Sequence, residues 1–437
     1  MRELLRLKLP EAMRAPLPLL TSWDARFLDV PGKAYAVLGV RRAGKTSLMW
    51  QVLAERLATG VPREALLLVG LEDDRLEGMT TDDLSWLVEE YFRSAPGLHG
   101  KVPVTLAFDE IQVVPGWERF LRRLIDTESV HLLVSGSSSK LLSREIASSL
   151  RGRALEVLLH PFSFRESLRH AGLEPDGPWQ QMSAAERSAL DARLRGYLRS
   201  GGFPEAQGLQ DEDRLILLKN HVDVVVLRDV IERHGISNPL PLRWLQRQLL
   251  SNPAGTFSVK KFHDQLKSQG VPVSKDTLHL FLSHLEDAFL VRVLQLHSAS
   301  ERQRMVNPRK VYPVDTALNQ LFERSGRPQW GHALESAILL ELERRGYEAS
   351  YVKTQEGWEV DFLAQAPGRP ALLIQVCADM READTWQREI RALESAHAHY
   401  PDAQCHLITL DSSVPTMERP VAIRWSPAAA WLLEFEA

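Results

Sequence analysis

Short apolar runs alternate with helix-like segments over the first 160 or so residues of the chain. Apolar residues recur at helical spacing in residues 44–57, 80–94, 115–126 and after residue 139. The runs suited to buried strands are 34–38, 65–73, 102–110 and 130–139, with ALEVLLHPFSF (154–164) as a fifth candidate. Because the two patterns alternate at βαβ spacing, the sequence predicts an α/β fold with a parallel sheet and helices on both faces.

Beyond about residue 165 the pattern becomes mostly helical. Asn-Pro and Gly in SNPAGTFS (251–258) indicate a boundary, and RSGRPQWG (324–331) indicates another. A helical pattern at 333–345 then precedes short strand-like runs, which predict a second, small α/β unit. The predicted segments are an N-terminal helix and connector (1–30), the α/β core (31–170), a helical lid or connector (171–252), a winged-helix domain (253–325) and the C-terminal unit (326–437).

Composition places the chain among ordinary soluble proteins. Of its 437 residues, 44% are hydrophobic and 25% are charged, and the formal net charge is -4. That net charge creates no global field that favours binding to nucleic acid or anionic membranes, but it does not exclude a local basic patch. Two cysteines indicate a reducing compartment, and no apolar run is long enough to cross a membrane. A cytoplasmic location is therefore expected.

The segment GVRRAGKTS follows the first predicted strand and opens the first predicted helix of the core. In this spacing, glycines let the backbone turn toward phosphate oxygens, and the helix directs its N-terminal dipole at the same anion. Lys45 is expected to reach the β- and γ-phosphates, and Thr46 to bind Mg²⁺. The expected nucleotide-binding residues are Gly39, Arg41, Arg42, Ala43, Gly44, Lys45, Thr46 and Ser47.

The segment LAFDEIQ places Asp109 and Glu110 at the end of the third predicted strand. Ligands bind at the carboxyl ends of parallel strands, so both acids are expected to face the phosphate-binding loop. Asp109 would hold Mg²⁺ together with Thr46, and Glu110 would act as the catalytic base that polarises the attacking water. An Asp-Glu pair after a strand is also a common cap, and the loop is what favours the catalytic interpretation.

Two further groups have both a functional and a structural interpretation. Ser135 and Ser137 end the fourth predicted strand, where they could sense the γ-phosphate or cap the next helix. Arg151 and Arg153 follow that predicted helix. Either could act as a catalytic arginine finger in a neighbouring subunit, with Arg153 slightly favoured, or both could be a solvated pair at a helix end.

The motifs in order resemble the AAA-type ATPases that carry a C-terminal DUF4143 domain. The resemblance runs from GVRRAGKTS through DEIQ, PGWERFLRRLID, SGSSSKLLSREIASSLRGR and YLRSGGFPEA to EVDF and LIQVC, and covers roughly residues 30–410. It implies a P-loop ATPase core that uses ATP and Mg²⁺, a winged-helix middle domain and a C-terminal domain similar to PD-(D/E)XK nucleases. It also implies an oligomer in which arginines act across subunit borders.

The middle segment predicts a helix-turn-helix with a possible wing. Residues 256–312 contain nine Lys or Arg and five Asp or Glu, a local charge of +4. A basic patch of this kind suits contact with a phosphate backbone, whereas a protein-binding or lid role remains the alternative. The candidate DNA-contacting residues are Lys260, Lys261, Lys275, Thr277, Arg302 and Arg304.

In the C-terminal unit, the resemblance to nucleases places Glu335 on a helix and Asp361 as the first strand acid. Gln375 stands where the second acid is expected, and Cys377 stands where the lysine is expected. An amide is a poor ligand for a hard cation, and a thiol cannot supply a lysine's charge, so cleavage is expected to be lost. Glu359 remains open as a substitute ligand, and Cys377 is expected to pack as a small buried hydrophobe.

Three functions are compatible with the sequence. The first is an ATPase that binds or remodels DNA, including branched DNA. The second is a nucleotide-controlled switch that acts on a protein partner. The third is an active metal-dependent nuclease with an accessory ATPase. Intact P-loop and strand-end acids together with the basic middle segment favour the first.

Overall fold

The computed structural model describes residues 1–28, 30, 32–137, 152–322, 329–379, 383–412, 420 and 422–434. The helix predicted after residue 139 and Arg151 lie outside the described residues. The chain divides into two compact units. They are Met1–Leu159 with Asp287–Phe289, and His160–Glu286 with Leu290–Ala437.

The first unit contains a five-stranded sheet in the order β2-β3-β4-β1-β5, in which every pairing is parallel. This arrangement confirms the predicted α/β fold. The strands are β1 (Ala34–Leu38), β2 (Leu66–Gly70), β3 (Val104–Asp109), β4 (Val130–Gly136) and β5 (Ala154–Leu158). The helices are α1 (Arg2–Arg14), α2 (Lys45–Ala58), α3 (Thr81–Ser94) and α4 (Trp117–Thr127).

The local signals explain most of these boundaries. Thr80 and Asp83 form a capping box at the start of α3, as the Thr-Asp pattern predicts. The helix predicted to begin at Pro115 instead begins at Trp117, because Gly116 precedes it in a left-handed conformation with φ 78°. The central strands β1, β3 and β4 are almost wholly buried, which explains why they appear as continuous apolar runs.

The second unit begins with helices, as predicted for the segment after residue 165. One departure is a π-helix at Val225–Glu232, which directly continues the preceding α-helix. The i, i+4 apolar spacing of that segment does not distinguish the two helix types. The α-helices are α5 (Phe164–His170), α6 (Ala184–Ser200), α7 (Asp211–Val224) and α8 (Leu240–Leu250).

The middle segment forms two helices and a small antiparallel sheet of order β6-β8-β7. Two consecutive helices lie where the helix-turn-helix is predicted, and Glu301–Val306 is a further short helix. The elements are β6 (Thr256–Phe257), α9 (Val259–Ser268), α10 (Lys275–Asp287), β7 (Val291–Leu294), α11 (Glu301–Val306) and β8 (Arg309–Pro313).

The C-terminal segment forms a second five-stranded sheet in the order β13-β12-β11-β10-β9. Its first two pairings are parallel, and those of β10 with β11 and β9 are antiparallel. The last strand and helix were not predicted. The elements are α12 (Trp330–Arg344), β9 (Glu348–Lys353), β10 (Glu359–Gln365), β11 (Leu372–Cys377), α13 (Ala383–His399), β12 (Gln404–Thr409), β13 (Ile423–Pro427) and α14 (Ala428–Leu433).

Apolar side chains from α12, β10, β11 and α14 share one core with those of α5 and α6. The helical and C-terminal segments therefore share one core, and a second apolar cluster packs α13 against the other face of the C-terminal sheet. Within the described ranges, no helix has both the length and the apolar character that crossing a bilayer requires.

Candidate nucleotide site and a second carboxylate cluster

The loop between β1 and α2 is shaped by two glycines. Gly44 adopts φ 103° immediately before α2, a conformation that side chains disfavour. At Gly39, a Cβ atom would lie 2.2 Å from the carbonyl oxygen of Leu159. The loop can therefore turn tightly over the end of β1 only with glycine at these places. This geometry leaves the first amides of α2 at the mouth of the loop, where a phosphate group would bind.

Lys45, the first residue of α2, lies buried across this loop. Its Nζ donates to the carbonyl oxygens of Gly39 and Val40, at 3.2 and 3.3 Å. The same Nζ lies 3.6 Å from Glu110 Oε1. A buried ammonium beside a carboxylate at this loop is a suitable partner for the charge of a polyphosphate.

Thr46 and Asp109 meet across the loop, as the sequence predicts. The Thr46 hydroxyl donates to Asp109 Oδ2 at 2.6 Å. Ser135, fully buried at the end of β4, donates to the other oxygen of Asp109. Mg²⁺ prefers oxygen ligands and keeps several waters, so a hydroxyl and a carboxylate held together at the phosphate-binding loop fit this ion.

Glu110 occupies an unusual backbone position directly after β3. It has φ 53°, a left-handed conformation that is rare for residues other than glycine, and such strain concentrates at functional sites. Its amide donates to Ser135 Oγ at 2.9 Å, and Gln112 donates to its carboxylate. Burial raises the pKa of Glu110, but Lys45 and then Gln112 outweigh it, so the pKa lies below the ordinary value. The carboxylate is therefore ionised and able to accept a proton.

Sequence reasoning missed a tryptophan that packs against the phosphate-binding loop. Trp23, in the N-terminal connector, is only 5% exposed and packs against Gly44. Its backbone is held by Gln51 of α2, which accepts from Trp23 N at 2.7 Å and donates to its carbonyl at 3.1 Å. No local pattern indicates this contact, because the connector carries no periodic signal.

Substituting Gly44 tests the contact between the connector and the loop. A Cβ atom at Gly44 would lie 2.3 Å from the Trp23 ring, whereas one at Gly60 would meet nothing within 4 Å. Both glycines have positive φ, so Gly44→Ala and Gly60→Ala share the backbone cost. We expect Gly44→Ala to cost about 1–3 kcal/mol more in unfolding free energy, measured in urea. Equal costs in the two variants would rule out this packing.

The other residues predicted for the nucleotide site have the following surroundings. Arg41 Nη1 lies 2.7 Å from Glu72 Oε1. Arg42 is exposed with φ 68°, and Ala43 is buried. Ser137 is buried just beyond β4. Arg153 pairs with Asp126 of the same chain, while Arg151 lies outside the described residues.

In the middle segment, the predicted DNA-contacting residues differ in exposure. Lys260, Lys261, Lys275 and Arg302 are exposed, and Arg304 is half-buried beside Glu301. Thr277 is half-buried in the first turn of α10, where Ser274 caps the helix: the Thr277 amide donates to Ser274 Oγ at 3.0 Å, and the two hydroxyls lie 2.8 Å apart. The exposed lysines therefore remain the strongest candidates for contact with a phosphate backbone.

Two of the nine basic residues of the middle segment point into the C-terminal part of the same unit. Arg292 Nε lies 2.9 Å from Glu343 Oε1. Lys310 is buried against Glu335, Glu359 and Asp361. The basic surface available to a phosphate backbone is therefore smaller than the composition suggests.

The predicted nuclease-like residues do come together, but with partners that sequence reasoning missed. Gln375 donates to Glu389 of α13 at 2.7 Å, and accepts from Asp361 N at 3.3 Å. Cys377 is buried, and burial raises its pKa to about 12. Among the described side chains, no group of three or more His, Cys, Asp or Glu is arranged to hold a metal ion.

Comparisons with known proteins identify the first domain. Residues 31–168 match the AAA domain family, and residues 191–325 match a domain of unknown function, DUF8612. The second match leaves the DUF4143 resemblance and its nuclease-like assignment as predictions.

Two relatives are similar to this protein over most of its chain. An uncharacterised protein of Methanocaldococcus jannaschii is 34% identical over 378 residues, covering 85% of this chain and 80% of the relative. One of Haemophilus influenzae is 26% identical over 347 residues, covering 79% and 82%. Among solved structures, the Walker-type ATPase of Pyrococcus abyssi has 18% identity and a TM-score of 0.41, over 74% of this chain and 95% of that chain.

Proposed function

Since the chain belongs to one family with the Methanocaldococcus jannaschii protein and carries an AAA domain at residues 31–168, we propose that it hydrolyses ATP with Mg²⁺ and couples hydrolysis to binding or remodelling of DNA. The observation that carries the ATPase half is the 2.6 Å contact between Thr46 and Asp109, with Lys45 and Glu110 beside it. These side chains supply the positions that phosphoryl transfer to water requires.

In this proposal, each residue of the site has one task. Lys45 and the loop amides bind the β- and γ-phosphates, and Thr46 and Asp109 hold Mg²⁺. Glu110 orients and polarises the attacking water, and Ser135 keeps Asp109 in place. Bound Mg²⁺ would neutralise charge that develops on the phosphate oxygens.

DNA is proposed as the partner because exposed basic residues cluster on α9 and α10. Lys260, Lys261 and Lys275 are exposed on these adjacent helices, which follow each other as in a helix-turn-helix. The form of DNA, including a branched form, is left to experiment. We place the protein in the cytoplasm, in keeping with its two buried free cysteines.

A protein-binding switch is the second candidate, and one observation favours it. Leu280 is 52% exposed on α10, the helix proposed to face DNA. An exposed leucine beside lysines suits contact with a protein surface as well as with a nucleic acid.

Assembly into a homo-oligomer also belongs to the proposal, with Arg151 or Arg153 as the arginine finger that acts in the site of the adjacent subunit.

Steady-state ATP hydrolysis tests the coupling. Wild type and Glu110→Gln are assayed without DNA, then with single-stranded, duplex and four-way-junction DNA at low and moderate salt. Stimulation by one form of DNA, lost in the variant, would support the proposal. If no form of DNA changes the rate of hydrolysis and the protein shows no salt-sensitive binding to DNA, the DNA proposal is wrong. The nucleotide-controlled switch that acts on a protein partner would then be the remaining candidate.

Charge removal on α9 and α10 tests the DNA surface directly. We expect the triple variant Lys260→Ala, Lys261→Ala, Lys275→Ala to bind every DNA sequence more weakly. The slope of log affinity against log salt should fall by about 1 for each of these lysines that pairs with a phosphate in the wild-type complex. Fluorescence anisotropy at several salt concentrations measures this slope. Lys219→Ala, an exposed lysine on α7, is the matched control and should leave the slope unchanged.

A further inference from the structure

A buried lysine lies at the centre of the carboxylate cluster in the C-terminal part of the second unit. Lys310, on β8, is only 4% exposed. Its Nζ lies 2.8 Å from Glu359 Oε1, 3.0 Å from Asp361 Oδ1 and 3.9 Å from Glu335 Oε2. One ammonium is therefore within ion-pair distance of three carboxylates.

Two of the three carboxylates have a hydrogen-bond partner in the same unit besides Lys310. Glu359 and Asp361 both lie on β10, and both contact the Lys310 Nζ. Val376 N donates to Asp361 Oδ2 at 3.0 Å. The Tyr312 hydroxyl donates to Glu335 Oε2 at 3.3 Å. Asp361 and Glu335 are thus each oriented by a second partner besides Lys310.

Electrostatics favours a cation at this point. Burial lowers the pKa of Lys310, but Asp361, Glu335 and Glu359 outweigh burial and raise it above the ordinary value. Burial and the charge of Asp361 raise the pKa of Glu335 well above normal, while Lys310 acts in the opposite direction. Without a positive charge at the centre, the three carboxylates would repel one another in a buried place.

A divalent metal ion and the ammonium cannot share this place. The Lys310 Nζ contacts the same oxygens that would ligate a metal ion, and two cations at the same short distance from them would repel strongly. Gln375 is neutral, and its amide is already engaged with Glu389 and Asp361 N.

We propose that the Lys310 ammonium is the resident cation of this cluster and fills the place of a divalent metal ion, so that removing it creates a site for one Mg²⁺- or Mn²⁺-class ion. The nearest alternative is that Lys310 works beside a metal ion already bound there, as a catalytic lysine. The proposal does not depend on the ATPase activity of the first unit.

Manganese binding to the full-length, nucleotide-free protein tests this inference. Bound Mn²⁺ is counted by electron paramagnetic resonance in wild type, Lys310→Met and Lys310→Met with Asp361→Asn. Methionine keeps the length of the side chain and removes its charge. We expect Lys310→Met to bind one more equivalent than wild type, and the double variant to lose that equivalent.

Thermal unfolding of the same samples gives a second readout. We expect Lys310→Met to unfold at a lower temperature than wild type without Mn²⁺, and to recover part of the difference when Mn²⁺ is added. Lys310→Arg, which keeps a cation, should gain no Mn²⁺ equivalent. Lys267→Met, at an exposed lysine of α9, is the control and should show neither effect.

If Lys310→Met does not fold, the comparison of Mn²⁺ binding between wild type and Asp361→Asn still tests the proposal. Wild type and Asp361→Asn should then bind the same number of Mn²⁺ ions. Loss of one equivalent in Asp361→Asn would mean that a metal ion already binds beside Lys310, and would overturn the proposal. A folded Lys310→Met with wild-type Mn²⁺ stoichiometry would overturn it equally.

Discussion

Replacing Glu110 with Gln is expected to lower kcat for ATP hydrolysis by about 10²–10⁴-fold, the usual contribution of a positioned general base. Glutamine keeps the size of the side chain and can still bond Gln112, but it cannot accept the proton of the attacking water. ATP affinity should change little, because Lys45 and Thr46 remain. Single-turnover hydrolysis and equilibrium nucleotide binding, measured on the same preparation, separate the two effects.

The control for this variant is Glu77→Gln, at an exposed glutamate before α3, which should hydrolyse ATP like wild type. The pH profile of kcat/KM adds a second check, since it reports the free enzyme. The pKa of Glu110 is held below its ordinary value of 4.5, so its ionisation should cause no loss of kcat/KM between pH 8 and pH 5. A Glu110→Gln enzyme with unchanged kcat would exclude Glu110 as the base.

Replacing Lys45 with Met is expected to weaken ATP binding by about 10- to 100-fold, the loss of charge-assisted hydrogen bonds worth about 1.5–3 kcal/mol. Hydrolysis should fall as well, because the same ammonium would neutralise charge on the transferred phosphate. The variant also leaves the buried Glu110 without the cation that lowers its pKa. Calorimetric titration with Mg²⁺ and a non-hydrolysable ATP analogue measures the affinity.

Lys101→Met, at an exposed lysine of the same unit, is the matched control and should bind nucleotide normally. The double variant Lys45→Met, Glu110→Gln examines the 3.6 Å pair itself. Because the two side chains contact each other, their effects on unfolding free energy should not add. Additive effects would contradict the contact between Lys45 and Glu110. Wild-type affinity in Lys45→Met would contradict the placement of this ammonium at the phosphates.

Local sequence patterns were sufficient for the core of the first unit. The apolar runs at 34–38, 102–110 and 130–139 predicted strands β1, β3 and β4. Once these strands are parallel neighbours, their carboxyl ends must lie at one edge. The meeting of Thr46 with Asp109 and of Lys45 with Glu110 follows from that topology.

Backbone details at the same edge were not predictable. The left-handed conformation of Glu110 and the packing of Trp23 on Gly44 depend on neighbours in space. Residue propensities predict neither feature, since glutamate disfavours positive φ and the connector that contains Trp23 has no periodic pattern. Strain of this kind is where local rules are expected to fail.

The sequence by itself determined the phosphate-binding loop, the strand-end acids and the α/β class, because each depends on spacing within a few residues. Tertiary structure alone decided which residues pair with the predicted residues of the C-terminal unit. Lys310 reaches Asp361 from 51 residues away along the chain, and Gln375 takes Glu389 as its partner across 14. Residues this far apart along the chain leave no periodic pattern in the sequence. They meet only because the folded backbone brings them together, and once the charged groups are buried they must be paired.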